Sequence, residues 1–192
     1  MQTLRWTLRV HTFPRLIRRC TRCGGSLYEI SGRFRVNANG KRLDVWLVCR
    51  CEACKTIWNL PVLTRIGRAT LDPQDLRGYL DNDPAFALRY VFDPVFLARN
   101  HTSLDPGTLE FTRQGELPAA GEDAQIEVSC AYPLPLSCDR IAARCLGLSR
   151  SQIRRLAALN LLAFTETARR PKAETHFTFR LAADWQNTVD PH

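Results

Sequence analysis

The 192-residue sequence predicts an α+β protein. Three observations predict it: two Cys-x2-Cys pairs joined by strand-like alternation, three Asp-Pro steps that open short helices, and a capped pair of basic helices near the C-terminus. No run of about 18 apolar residues occurs, so a transmembrane helix is not expected. Apolar residues at 45% and charged residues at 24% fit a globular chain rather than a disordered one.

At the N-terminus, Leu4-Arg5-Trp6-Thr7-Leu8-Arg9-Val10 alternates with the period of a strand. The surrounding arginines, Arg5, Arg9, Arg15, Arg18 and Arg19, have no acidic neighbour and imitate a transit peptide. They lack the apolar core of a secretory signal and run straight into the first cysteine pair, so the segment reads as mature protein. Cysteines without a secretory signal point to thiols or metal ligands rather than disulfides, and to the cytoplasm.

Cys20-Thr-Arg-Cys23-Gly and Cys51-Glu-Ala-Cys54 are the two pairs. Two thiolates on one tight turn can hold one metal ion, and Gly24 permits the left-handed backbone such a turn often needs. Two turns supply Cys20, Cys23, Cys51 and Cys54, a closed four-sulfur set suited to structural zinc. Between them, Arg33 to Val36 reads as a strand, Asn37 to Lys41 as a turn, and Leu43 to Cys49 as the return strand. Lys55 to Ile66 reads as a further strand. Strands leading to and from paired knuckles make a zinc ribbon. A thioredoxin-like redox pair would need a βαβ setting, which the sequence lacks. Cys49, Cys130, Cys138 and Cys145 read as packed thiols.

Asp72-Pro73, Asp83-Pro84 and Asp93-Pro94 combine an N-cap with a first-turn proline. They predict helices over about 73–80, 84–92 and 94–99. The acids there read as caps and a solvated face rather than a cation site. Asp105-Pro106-Gly107 reads as a turn, and 108–112 and 126–130 as strands. Further on, a helix over about 138–146 stops at Gly147, and the Ser149-x-x-Gln152 capping box starts a second helix near Arg150 that ends near Asn160. Leu161 to Phe164 and His176 to Leu181 read as strands. Helical spacing puts Arg140 with Arg144, and Arg150 with Arg154, on outward faces, while Ile153, Leu156 and Asn160 share another face.

The net charge of +8 is unevenly spread. Residues 1–70 carry 14 basic and 3 acidic groups, 71–130 carry 4 and 11, and 131–192 carry 9 and 5. Hence three segments are expected: a zinc-ribbon-like β domain (1–70), an acidic helical segment with short strands (71–130), and a small basic helix-pair module with a C-terminal strand (131–192). Basic and acidic surfaces could face each other, or the basic ones could meet an anionic partner. Guanidinium groups bind phosphates bidentately. The candidate nucleic-acid contacts are Arg140, Arg144, Arg150, Arg154 and Arg155, with Arg33, Arg35, Lys41 and Arg42 from the ribbon hairpin.

Two resemblances accompany these readings. The run from Cys20 through Phe34-Arg35-Val36-Asn37-Ala38-Asn39-Gly40-Lys41-Arg42-Leu43-Asp44-Val45-Trp46-Leu47 to Arg50-Cys51-Glu52-Ala53-Cys54 and Thr56-Ile57-Trp58-Asn59-Leu60 resembles bacterial domain-of-unknown-function family 1062. It covers residues 20 to about 66, and the acidic middle and C-terminal segment are similar as well. This resemblance implies a zinc ribbon and brings no established activity. Leu-Gly-Leu-Ser-Arg-Ser-Gln-Ile-Arg-Arg-Leu (146–156) resembles the RNA-binding motif of the small-subunit ribosomal protein S-four, through Asp139, Ser149, Arg150, Ser151, Arg154 and Arg155. Ser137 replaces that motif's leading Arg and Asn160 its Gly. The resemblance implies RNA or ribosome binding ahead of DNA.

The four histidines fall in no nucleophile or metalloprotease motif, and no glycine-rich phosphate loop or Gly-x-Ser-x-Gly elbow occurs. Four cysteine ligands would leave the metal no open position for catalysis. A non-enzymatic protein is therefore expected: zinc-stabilised and nucleic-acid-binding, or alternatively a protein-interaction or scaffold module for an acidic partner. No membrane and no small-molecule substrate is expected.

Overall fold

The computed structural model describes residues 1–119, 121–164 and 175–189. Its two five-stranded sheets and short helices give the expected α+β class. The chain divides into two compact units: one comprises residues 1–11 and 111–192, the other 12–110.

In the inserted unit, β2 (Leu16–Ile17), β3 (Leu27–Asn39), β4 (Arg42–Cys51), β5 (Ile57–Gly67) and β6 (Ser103–Leu104) form an antiparallel sheet in the order β5-β4-β3-β2-β6. The β3–β4 turn is Gly40-Lys41, between the paired residues Asn39 and Arg42. Alternation sends Tyr28, Ile30, Phe34, Leu43, Val45, Leu47, Cys49 and Leu60 into the core. Helices α1 (Pro73–Leu80), α2 (Pro84–Val91) and α3 (Pro94–Arg99) start where the Asp-Pro steps predict. Each aspartate accepts backbone N–H bonds from the first helical turn, as at Asp93 Oδ1 with Val95 and Phe96, 2.8 and 3.1 Å. Phe34 meets Tyr79 and Phe86 edge-on, with centroids 5.1 and 6.3 Å apart, so the helices cover the inner face of β3.

In the other unit, β1 (Gln2–Val10), β7 (Phe111–Gln114), β8 (Ala124–Cys130), β9 (Leu162–Phe164) and β10 (Thr175–Leu181) form a sheet in the order β7-β1-β8-β10-β9. β1 pairs parallel to β8; the other pairings are antiparallel. Trp6, Ile126, Val128, Phe177 and Phe179 fill the core, and Trp6 Nε1 donates to Glu116 O at 2.8 Å. Helices α4 (Cys138–Leu146) and α5 (Arg150–Ala158) are joined by Gly147-Leu148-Ser149. Gly147 takes φ +70°, a left-handed C-cap that suits glycine. The capping box forms: Ser149 Oγ accepts from Gln152 N at 3.2 Å, and Gln152 Oε1 accepts from Ser149 N at 2.8 Å.

The unit boundaries do not follow the charge segments 1–70, 71–130 and 131–192. Residues 1–11 belong to a different sheet from the cysteine pairs, because β1 is claimed by β7 and β8, more than a hundred residues away in sequence. The acidic helices share a unit with the cysteine strands, and β7 and β8 belong to the other unit. The strand expected over 108–112 begins at Phe111. Asp105 instead caps a short helical turn, Pro106–Thr108, through Gly107 N–H. Asn160 lies beyond the end of α5 with φ +57° and is exposed, so it does not share the buried face of Ile153 and Leu156.

Candidate metal centre

Each cysteine pair occupies a hairpin turn. Cys20 and Cys23 sit between β2 and β3; Cys54 sits between β4 and β5, and Cys51 ends β4. Because Tyr28 of β3 faces Cys51 of β4, the two turns emerge side by side at one end of the sheet.

The two turns share one backbone design. Cys20 O accepts from Gly24 N and Cys51 O accepts from Lys55 N, both at 2.9 Å. Cys20 N donates to Gly25 O at 2.7 Å, and Cys51 N donates to Thr56 O at 2.9 Å. The residue after the second cysteine is left-handed in both, with φ +75° at Gly24 and +59° at Lys55. Lys55 holds this conformation without the freedom of glycine. Gly25 has a different function: a Cβ there would stand 3.3 Å from Ala53 Cβ and 3.4 Å from Cys23 Sγ, so the missing side chain lets the turns close together.

The four sulfurs lie within 4.8 Å of one another. Cys20 Sγ is 3.7 Å from Cys54 Sγ, and Cys23 Sγ is 3.6 Å from Cys51 Sγ. A tetrahedron with metal–sulfur bonds of about 2.3 Å has edges of about 3.8 Å. The arrangement could therefore hold a metal ion, and four soft donors suit zinc or iron. Cys20 and Cys51 are buried, Cys54 is half-buried and Cys23 is exposed, which leaves an entry side.

Hydrogen bonds prepare the sulfurs for a cation. The Tyr28 hydroxyl, with the backbone N–H groups of Cys23 and Arg22, draws Cys20 down to about 6. Thr56 lowers Cys54 through its hydroxyl, with Oγ1 3.2 Å from the sulfur, and through its backbone N–H. Cys23 moves the other way. The Gly25 N–H favours its thiolate, but sharing with Cys54 and Cys51 outweighs this and pushes it up to about 12. Four close thiols cannot all lose their protons until a cation offsets the repulsion. Tyr28 and Thr56 carried no signal in the sequence, since the β3–β4 register and the turn bring them to sulfur.

Cys49 is not in this cluster. It is fully buried, and burial pushes its thiol up to about 12. Cys130 is also buried, whereas Cys138 and Cys145 are half-buried.

The candidate nucleic-acid residues fall in different units. Arg140 and Arg144 on α4, and Arg150, Arg154 and Arg155 on α5, are exposed. Arg150 is committed within the helix pair: its Nε and Nη2 donate to Asp139 Oδ2 at 3.0 and 2.8 Å. The Arg144 guanidinium carbon lies 5.6 Å from the centre of the Phe111 ring. Arg33, Arg35, Lys41 and Arg42 are exposed on the β3–β4 hairpin. Residues 165–174, between β9 and β10, lie outside the described residues. Among the described residues, no helix is long and apolar enough to cross a membrane.

The family described as "Protein of unknown function (DUF1062)" matches residues 36–168. The chain belongs to this family. The DUF1062 span starts within β3, takes in Cys51 and Cys54, and runs through α1–α3 to the helix pair. It thus draws on both units. No curated protein and no solved structure matches the chain.

Proposed function

We propose that this protein is a zinc-stabilised, non-catalytic nucleic-acid-binding protein of the cytoplasm, with RNA or the ribosome as partner ahead of DNA. The pair of matched cysteine turns carries the zinc part of this reading. Zinc would complete a zinc ribbon from β2 to β5, and four thiolates would fill its coordination shell. The metal then holds the turns and takes no chemical step. The exposed guanidinium groups of Arg140, Arg144, Arg154 and Arg155 support the nucleic-acid part, with Arg33, Arg35, Lys41 and Arg42 as a second set. Arg150 belongs to this reading only if phosphate displaces Asp139.

Elemental analysis of the purified protein tests the first part. One zinc per chain, lost on Cys51→Ser together with the order of the sheet, is the expected result; retention of metal and fold refutes it. Titration with RNA at low salt tests the second. Affinity should fall with salt, by about 0.7 log unit per phosphate contact per tenfold in salt on a single strand and about 0.9 on duplex DNA. Absence of binding to both RNA and DNA at low salt ends it.

A protein-interaction or scaffold module with structural zinc is the second reading. The ion pairs Arg150–Asp139, Arg15–Glu52 and Lys55–Glu29, at 2.8, 2.9 and 3.4 Å, favour it, because they show cations already answered by acids of this chain.

A further inference from the structure

The outer face of β3-β4-β5 carries a feature that the charge pattern alone does not reveal. Between Ile30 and Phe34 the strand gains two residues over β4, since Ile30 faces Cys49 while Phe34 faces Leu47. The excess is pinned in place: Ser31 Oγ donates to Val48 O at 2.7 Å and accepts from Arg33 N at 3.1 Å, and Asn82 Oδ1 accepts from Phe34 N at 2.7 Å. An even excess keeps Ile30 and Phe34 on the buried side. Ser31 and Arg33 stay exposed on either side of the buried Gly32, and a depression of about 480 Å³ opens beside them, walled by Glu29, Ser31, Arg33, Val48 and Arg50.

Beside it, the half-buried Trp46 lies on the same face between its strand partners, Arg35 of β3 and Pro61 of β5. The Arg35 guanidinium carbon is 5.9 Å from the Trp46 ring centre. The two acids of the β3–β4 hairpin are occupied. Glu29 accepts from Lys55 Nζ at 3.4 Å, and Asp44 Oδ1 accepts from the Arg65 N–H at 2.8 Å. This sheet face sets an aromatic ring and three exposed arginines against two carboxylates, one of them ion-paired with Lys55, a balance that favours an anionic ligand that also stacks.

We infer that this face binds single-stranded RNA, with Arg33 and Arg50 taking backbone phosphates at the depression and Trp46 stacking on an unpaired base. The inference rests on the nucleic-acid reading above and names its surface: the sheet of the inserted unit rather than the α4–α5 helix pair. Stacking on protein aromatics requires bases free of a duplex, which is why a single strand fits and a double helix does not.

The test uses the full chain and a fluorescent single-stranded RNA of mixed sequence, read by anisotropy across a salt series. Trp46→Ala should weaken binding about tenfold. Arg33→Gln with Arg50→Gln should lower the salt slope by about 1.4, from roughly 0.7 per lost contact. Trp46→Phe keeps a stacking surface and should stay within a few-fold of the native protein, which separates lost stacking from a damaged fold. The sheet assignment requires Arg154→Gln with Arg155→Gln, on α5, to weaken binding less than the sheet variants do. If that helix variant loses binding while the sheet variants retain it, the surface assignment is overturned and the nucleic-acid reading survives. If the native protein binds neither RNA nor DNA, both are lost. Equal affinity for a duplex of the same sequence overturns the stacking role of Trp46.

Discussion

The two units are built around different side-chain chemistry. The unit built on β1, β8 and β10 closes over large apolar side chains, with Trp6 and Phe179 fully buried and their centroids 5.6 Å apart. Its described residues offer no metal-ligand cluster. The inserted unit has an aromatic cluster around Phe34 and Tyr79, but the turn end of its sheet is different. There four sulfurs lie within 4.8 Å of one another, beside the Tyr28–Trp58 ring pair. A core of rings needs no cofactor, whereas a cluster of thiols needs a cation before it can be fully ionised and drawn together.

Removing the cation should distinguish the two units most sharply. A chelator at neutral pH is expected to raise amide hydrogen exchange across β3, β4 and β5 while β1, β8 and β10 keep their protection; equal behaviour in both sheets would contradict the contrast. The converse perturbation is Trp6→Ala. It empties a fully buried site and leaves Glu116 O without its partner, so a loss of about 3–5 kcal/mol is expected in chemical denaturation, with metal content unchanged. A smaller effect belongs to Gly24→Ala. Nothing lies within 4 Å of the added Cβ, so only the left-handed backbone opposes it, at about 1 kcal/mol, measured as a shift in the thermal midpoint of the zinc-loaded protein.

The smallest expected effect concerns Asp139. Burial raises its pKa, but hydrogen bonds from the Ser137 hydroxyl and the Arg150 guanidinium outweigh this and hold the carboxyl below its ordinary value. A lowered folded-state pKa contributes stability above the unfolded value of about 3.9 and loses it as pH falls through the folded value. Asp139→Asn should therefore cost under about 1 kcal/mol at neutral pH, since Arg150 is 43% exposed, and nothing in strong acid. A cost that persists below that range would show that the ion pair is not its source.

Local chemistry was legible in the sequence and distant pairing was not. The Asp-Pro steps located α1 and α3 at both ends and α2 to within one residue, because an N-cap and a first-turn proline act within four residues. The Ser149 capping box and the Gly147 stop were legible for the same reason. The four clustered cysteines were visible as paired motifs, each needing only its own turn. The partners of β1 were hidden, because alternation states that a strand exists and not which strand it meets. The two-residue strands β2 and β6 are too short to show a period. Lys55, held left-handed where its counterpart is Gly24, gave no warning in its side chain.

The neighbouring positions of Val10 and Phe111 have a practical meaning. They are antiparallel partners, so residues 12–110 leave and rejoin the chain across a gap of about 5 Å. Within the inserted unit the two ends also meet, with Thr12 Oγ1 3.5 Å from Glu110 Oε2. In engineering terms the inserted unit is a cassette. A two-residue turn could span the same gap, leaving β1 and β7 as an ordinary hairpin, and the socket between them could receive another domain whose termini lie equally close.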